Sequence, residues 1–345
     1  MKFSPVIQYL RAVAATMVLC YHVIFHWIPG QEPHYRLLSA GVDIFFVLSG
    51  FVMWSLTAGH QGDSWDFFSR RLKRIVPLYW LMTTLMVVVV LVLPGATLTS
   101  KFDLRHVVSS YFFIPAIHPV KGNFEPLLFP GWTLNYEMMF YLLMALALLW
   151  PMRFRLPLIL IFLSAMMAMG FIPHSDKSLI AFYSKSVLAE FGMGCVLGFL
   201  IEHDLGARAR AWNGAALIGL AIVAFFALAH FTQLGRGIAW GIPAALLVSG
   251  CVFNERSRGT TPLPLLLLLG DASYAIYLTH VIVLSALFQL ARRFAKSAPT
   301  EIAASVLLAL ACLYAGVLVY RFVERPMLSW FKTPHGLKMA AAAVK

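Results

Sequence analysis

The chain carries an arginine and a histidine, Arg11 and His22, inside its first long apolar segment. A separation of eleven residues is about three turns of an α-helix, so the two side chains share one face at an axial distance of roughly 16 Å. An ionisable group at the centre of a membrane-spanning helix costs at least roughly 2.5–3.5 kcal/mol, which makes both residues candidates for function. The structural alternative is an arginine that extends to the membrane surface and a histidine hydrogen-bonded within a helix bundle.

Three more ionisable residues, Asp43, Glu137 and His280, lie within apolar segments. Counted at about 1.5 Å per residue from the ends of the predicted helices, they and His22 fall in one layer in the outer half of the membrane. A histidine with a carboxylate partner in a water-poor site is typical of a general base, because the acid orients the ring and stabilises its charged form. The shared depth therefore predicts a reaction layer.

Aromatic side chains surround these polar residues in the sequence. An aromatic belt at the membrane interface is one explanation for them. The functional alternative is a set of aromatic platforms beside a polar site, which suits a sugar acceptor. The residues concerned are Trp132, Tyr136, Phe140 and Tyr141 around Glu137, and Tyr274 and Tyr277 before His280.

The composition indicates which elements must position these side chains. Of 345 residues, 60% are hydrophobic and 12% are charged, against roughly 25% charged in soluble domains. This excludes a soluble protein and predicts an all-α, polytopic transmembrane bundle. Segments of about 20 apolar residues are needed to cross the bilayer. About ten are expected, near residues 5–28, 38–58, 75–94, 131–150, 157–173, 179–200, 212–231, 237–253, 264–290 and 302–323.

The distribution of basic residues predicts the orientation. With the N-terminus inside, more lysines and arginines fall on the cytoplasmic side, and an even number of spans places the C-terminus there too. The net charge of +12 then reflects basic loops facing anionic lipid rather than nucleic-acid binding. The first segment has no clean cleavage site and is expected to be a retained helix. The four cysteines are expected to be free, packed thiols.

Two connecting segments stand out. The loop over about 95–130 is expected on the outer side, without a helix of its own, and loops of this length are usually functional. The segment before the third span contains Arg70, Arg71, Lys73 and Arg74 among aromatic residues. A lipid-surface anchor explains this segment as well as a binding site does.

Six motifs in order make the chain resemble the acyltransferase-3 family of integral-membrane acyltransferases. Arg11 and His22 are similar to the family's arginine, ten residues, histidine signature. The resemblance covers the whole chain and is strongest to exopolysaccharide O-acetyltransferases of the succinoglycan type. The other motifs are GVDIFFVLSGF (41–51), RRLKRIVPLYW (70–80), WTLNYEMMFY (132–141), SYAIYLTH (273–280) and VERP (323–326).

The resemblance implies transfer of an acyl group, expected to be acetyl, from cytoplasmic acyl-CoA to a hydroxyl of an exopolysaccharide or lipid-linked glycan. It also implies a bacterial inner-membrane location, no metal and no nucleic acid, with polysaccharide-assembly proteins as possible partners. Residues 1–330 would form the membrane domain and 331–345 a short cytoplasmic tail. Some members carry an additional soluble hydrolase-like domain, which we do not expect here.

The same resemblance suggests roles for the candidate residues. Arg71 and Arg74 would bind the CoA phosphates by charge-assisted hydrogen bonds, with Arg11 further along the path of the thioester. His22 would act as general base or transient acyl carrier, with Glu137 as its preferred partner and Asp43 as the second. Acceptor binding is predicted for Asp43, Trp132, Tyr136, Tyr277 and His280.

Two other function classes remain open at this point. Intramembrane histidines and acids also form the proton relays of transporters, so a glycan transporter or flippase is the main alternative. A non-catalytic scaffold in a polysaccharide export complex is the other. Consumption of acetyl-CoA by the purified protein would separate the enzyme from the transporter, and loss of activity without His22 would argue against the scaffold.

Overall fold

A computed structural model describes residues 4–28, 35–57, 63–92, 102–203, 214–229 and 235–331. These residues form α-helices, with a longer non-helical segment between α4 and α5, and no strand occurs among them. The expected tail at 331–345 lies almost wholly outside the described residues. The helices are α1 Pro5–Trp27, α2 Gly41–Thr57, α3 Ser64–Val92, α4 Leu104–Tyr111, α5 Gly131–Ala147, α6 Met152–Ala168, α7 Leu179–Tyr183, α8 Val187–Glu202, α9 Gly214–Ala229, α10 Ile242–Arg258, α11 Pro264–Asp271, α12 Ser273–Phe294, α13 Ala298–Val319 and α14 Arg325–Trp330.

Eight helical segments in the described part of the chain are long and apolar enough to cross a membrane. They confirm the prediction of a polytopic helical membrane protein. The spans expected at 131–150 and 212–231 correspond to the shorter helices α5 and α9, of 17 and 16 residues. The count of ten spans and the side of the termini stay predictions.

Three of the predicted boundaries were wrong. The span expected at 264–290 is interrupted, because α11 ends at Asp271 and α12 begins at Ser273. Helix α11 packs tightly on α1: a Cβ at Gly270 would lie 2.2 Å from the carbonyl oxygen of Gln8. The helix predicted from residue 75 begins at Ser64, so the basic segment is helical. The loop at 95–130 contains α4, whose first turn is capped by the Asp103 side chain.

Helix α2 lies at the centre of the bundle, and most of its residues are buried. Two glycines allow its close approach to α8. A Cβ at Gly50 would lie 2.1 Å from the carbonyl oxygen of Phe191, and one at Gly194 would lie 2.1 Å from that of Val47. The absence of side chains at both positions brings the two backbones into contact.

The bundle has two ends, which we call the near end and the far end. The near end is where α1 begins; there the Ser4 hydroxyl donates to Glu255, and Tyr274 donates to the Ile75 carbonyl at 2.7 Å. The far end is where α1 finishes. It is covered by the segment 112–130, in which Leu127 and Leu128 are buried. Each end contains one of the two cavities described next.

Candidate active site

A cavity of about 160 Å³ lies toward the near end and is lined by three guanidinium groups. We call it the arginine cavity. Arg11 comes from α1, and Arg71 and Arg74 come from successive turns of α3. Arg74 is paired at 3.2 Å with Glu324, a carboxylate only 1% exposed. Arg11 and Arg71 form no ion pair with a described carboxylate, since none lies within 4.0 Å of either guanidinium. The cavity therefore has two guanidiniums available to an anion.

Glu137 lies in the arginine cavity rather than beside His22, which corrects the predicted pairing. Its carboxylate accepts a hydrogen bond of 2.8 Å from the Tyr141 hydroxyl, one helical turn nearer the near end. Helix α5 begins at Gly131, as the sequence predicted. Counting along this one helix did not show which neighbours the Glu137 side chain meets, and it lines the same cavity as Arg11 and Arg71.

A second cavity, of about 240 Å³, lies toward the far end, and we call it the histidine cavity. His22 lines it, and the ring of His280 lies against that of His22 with centroids 5.0 Å apart. Of the four residues of the predicted layer, the structure brings these two histidines together. His280 is 1% exposed and does not line the cavity, so the structure does not bring it to the predicted acceptor site.

The hydrogen bonds of the two rings define the tautomer of His22. Its Nδ1 lies 2.8 Å from the Val18 carbonyl oxygen, which can only accept, so Nδ1 carries the proton. His280 Nδ1 likewise donates to the Ile276 carbonyl at 3.2 Å, leaving its Nε2 to face His22 Nδ1 at 3.3 Å. Neutral His22 therefore has its lone pair on Nε2, to which no described residue donates.

The Asp43 carboxylate is bound by Arg236, an arginine that was not among the predicted site residues. Arg236 donates from Nε to Oδ1 at 2.9 Å and from Nη2 to Oδ2 at 2.6 Å. Asp43 is completely buried and lines neither cavity, so its predicted pairing with His22 and its predicted contact with the acceptor are both wrong. Because a buried carboxylate needs a cation, an arginine at the start of a predicted span, such as Arg236, was the feature of the sequence that could have indicated this pair.

The two cavities share a wall formed by Val42 and Tyr277. The Tyr277 hydroxyl lies 3.0 Å from the Thr133 hydroxyl, which lines the arginine cavity, and it donates to the carbonyl of Pro130, which lines the histidine cavity. Of the other predicted acceptor residues, Trp132 lines the histidine cavity. Tyr136 is buried in the core, stacked on Phe182 with centroids 4.5 Å apart.

Comparison with known proteins gives a family. Residues 5–321 match the model of the family described as acyltransferase domain (Acyl_transf_3). The exopolysaccharide production protein ExoZ of Rhizobium meliloti is 35% identical over 311 residues, which are 89% of this chain and 94% of that protein. The putative peptidoglycan O-acetyltransferase YrhL of Bacillus subtilis is 28% identical over 94% of this chain, and OatA of Listeria monocytogenes, a peptidoglycan O-acetyltransferase, is 26% identical over 94%.

This chain spans 94% of ExoZ but only about half of the two O-acetyltransferases, 55% and 56%. No solved structure matches. The family match runs from the start of α1 to residue 321 and includes every residue that lines the two cavities. The chain therefore belongs to the acyltransferase-3 family of integral-membrane acyltransferases.

Proposed function

We propose that this protein is a membrane O-acetyltransferase that moves an acetyl group from cytoplasmic acetyl-CoA to a hydroxyl of an exopolysaccharide or its lipid-linked precursor. The observation that carries the proposal is the pair of cavities with different chemistry and a common wall at Tyr277. Guanidiniums on one side suit a phosphate-bearing donor, and an imidazole with a free lone pair on the other suits activation of a hydroxyl. The relatives' names supply the acetyl group and the glycan class.

The donor would enter from the near end, which the basic residues predict to be cytoplasmic. Arg11 and Arg71, without ion pairs of their own among the described residues, bind the phosphates of CoA. Arginine suits this task because its planar fork bonds phosphate oxygens in pairs. Arg74, paired with Glu324, holds the position of the cavity wall. Glu137 lines the same cavity and adds a carboxylate to it, with its own hydrogen bond from Tyr141.

Arg11 and His22 are separated by roughly 16 Å along α1, and the pantetheine arm of CoA would cover this distance. The thioester then reaches the shared wall while the phosphates stay in the arginine cavity. His22 Nε2 takes the proton of the acceptor hydroxyl as its oxygen attacks the thioester carbonyl carbon. The carbon–sulfur bond breaks, the ester forms, and the proton passes from His22 to the sulfur of the departing CoA.

The test is transfer of labelled acetyl from acetyl-CoA to glycan by the purified full chain in lipid nanodiscs. His22→Gln is expected to lower kcat by about 10²–10⁴-fold, the usual contribution of a general base. The donor KM should stay unchanged, because His22 does not line the arginine cavity. His26→Gln is the matched control, since this histidine lies one turn further along α1 against Phe288.

Equal turnover in the two variants would show that His22 is not the base. The transporter alternative would be favoured if the wild-type protein consumes no acetyl-CoA with any glycan but, reconstituted in liposomes, moves glycan together with protons across the membrane.

A further inference from the structure

The histidine cavity contains a guanidinium that no acidic group among the described residues neutralises. Arg36 lies in the 3-10 turn Arg36–Ala40 that precedes α2, and it lines the cavity while half-buried. Its guanidinium stacks over the Trp240 ring at 5.9 Å from the ring centroid. No ion pair to Arg36 forms within the parts of the chain that the structure describes.

The other arginine that lines this cavity, Arg236, is neutralised, and so is Lys121 nearby. Arg236 is bound through two hydrogen bonds to Asp43. Lys121, whose ammonium lies 5.5 Å from the Phe129 ring centroid, is paired with Glu125 at 2.6 Å. Among the described residues that line the histidine cavity, the net positive charge therefore belongs to Arg36. A half-buried, unneutralised guanidinium in a concave site is suited to bind an oxyanion of a ligand.

The rest of the lining fits a sugar ring. Aromatic rings and hydroxyl groups both line the cavity, and carbohydrate recognition uses both: rings pack on the C–H faces of a sugar and hydroxyls exchange hydrogen bonds with it. The volume of about 240 Å³ is below the roughly 300–1,000 Å³ of sites for drug-sized ligands, so it accepts one sugar residue rather than a whole oligosaccharide. The aromatic lining residues are Tyr21, Phe129, Trp132 and Tyr277.

We propose that the acceptor of this enzyme is an anionic glycan, and that Arg36 binds an oxyanion on or next to the sugar whose hydroxyl reaches His22. The inference rests on the proposed function and adds the charge of its substrate. The oxyanion could be the carboxylate of an acidic sugar or the diphosphate that links a glycan to its lipid carrier. Arg36 is then a specificity residue, and His22 remains the base.

Binding of three probes to the full chain in nanodiscs tests this assignment by isothermal titration calorimetry. The probes are cellobiose, a glucuronosyl-glucose disaccharide, and cellobiose linked to a polyprenyl diphosphate. We expect at least one anionic probe to bind about 10- to 100-fold more tightly than cellobiose, as one charge-assisted hydrogen bond provides. Arg36→Gln should remove this preference and leave the affinity for cellobiose unchanged.

Arg292→Gln is the matched control. Arg292 also stacks at 5.9 Å on an aromatic ring, that of Phe288, but it lines neither cavity. It should keep the preference, which excludes a general effect of losing a stacked surface arginine. Tight binding of the disaccharide acid identifies a carboxylate, and tight binding of the diphosphate probe alone identifies the lipid carrier.

The binding measurement separates this inference from the proposed function. A preference that Arg36→Gln abolishes supports the assignment even if no probe is acetylated, in which case it is the proposed function that fails. Equal affinities for the three probes, binding too weak to measure for all of them, or a preference that survives in Arg36→Gln each overturn the assignment, whether or not acetyl transfer occurs.

Discussion

Replacement of Arg71 by glutamine is expected to weaken donor binding strongly. Arg71 lines the arginine cavity, its Nε is buried without a hydrogen-bond partner, and no described carboxylate pairs with it. Its guanidinium is therefore free to bind a phosphate. One charged hydrogen bond contributes about 1.5–3 kcal/mol, and about 1.4 kcal/mol corresponds to a tenfold change in affinity. The Kd for acetyl-CoA should rise roughly 10- to 150-fold.

The assay is equilibrium binding of acetyl-CoA to protein in nanodiscs, with kcat for acetyl transfer measured in parallel at saturating donor. The structure offers a control in the neighbouring residue. Arg70 has a side chain 57% exposed and is already paired with Asp66, so Arg70→Gln should leave the Kd within about twofold. Arg71→Lys should fall between the wild type and Arg71→Gln, because lysine keeps the charge but loses the planar fork.

The reasoning is refuted if Arg71→Gln and Arg70→Gln bind acetyl-CoA equally well. That result would assign the basic segment of α3 to the lipid surface, the alternative that its composition also allows. A loss of kcat in Arg71→Gln with unchanged Kd would equally contradict a role in ground-state binding of the phosphates.

Two further predictions concern the cavity wall and the helix packing. Tyr277→Ala should join the two cavities and raise acetyl-CoA hydrolysis in the absence of acceptor, whereas Tyr277→Phe, which keeps the ring, should not. The release of free CoA measures the hydrolysis rate. Equal rates in the two variants would show that the Tyr277 ring is not the barrier. Gly50→Ala should destabilise the protein by about 3 kcal/mol through overpacking against the Phe191 carbonyl. Gly219→Ala, with no atom within 4 Å of the added Cβ, should be neutral or slightly stabilising in thermal unfolding.

The sequence predicted the features of the site that depend on one helix. Arg11 and His22 were expected on one face of α1 at different depths, and they line different cavities. The basic segment of α3 was expected near an anionic donor, and Arg71 and Arg74 line the cavity that we assign to it. The helical period carries this information directly.

The features that depend on several helices could not be predicted in the same way. The pairing of Asp43 with Arg236 requires the rotation of α2 relative to the start of α10, which no local pattern encodes. The placement of Glu137 in the cavity of Arg11, rather than beside His22, depends on how α5 packs against its neighbours. Counting residues along α5 alone does not give that packing.

The close contact of α2 with α8 has a consequence for how the protein is made. Gly50 and Cys195, which are in contact at this interface, are 145 residues apart in the chain. At roughly 5–20 residues per second of synthesis, α2 waits on the order of 10 s before α8 exists. Throughout that time Asp43 also lacks Arg236. Helix α2 must therefore be sheltered during biogenesis, by α1 or by the insertion machinery. Both cavities are completed later still, when α12 supplies Tyr277.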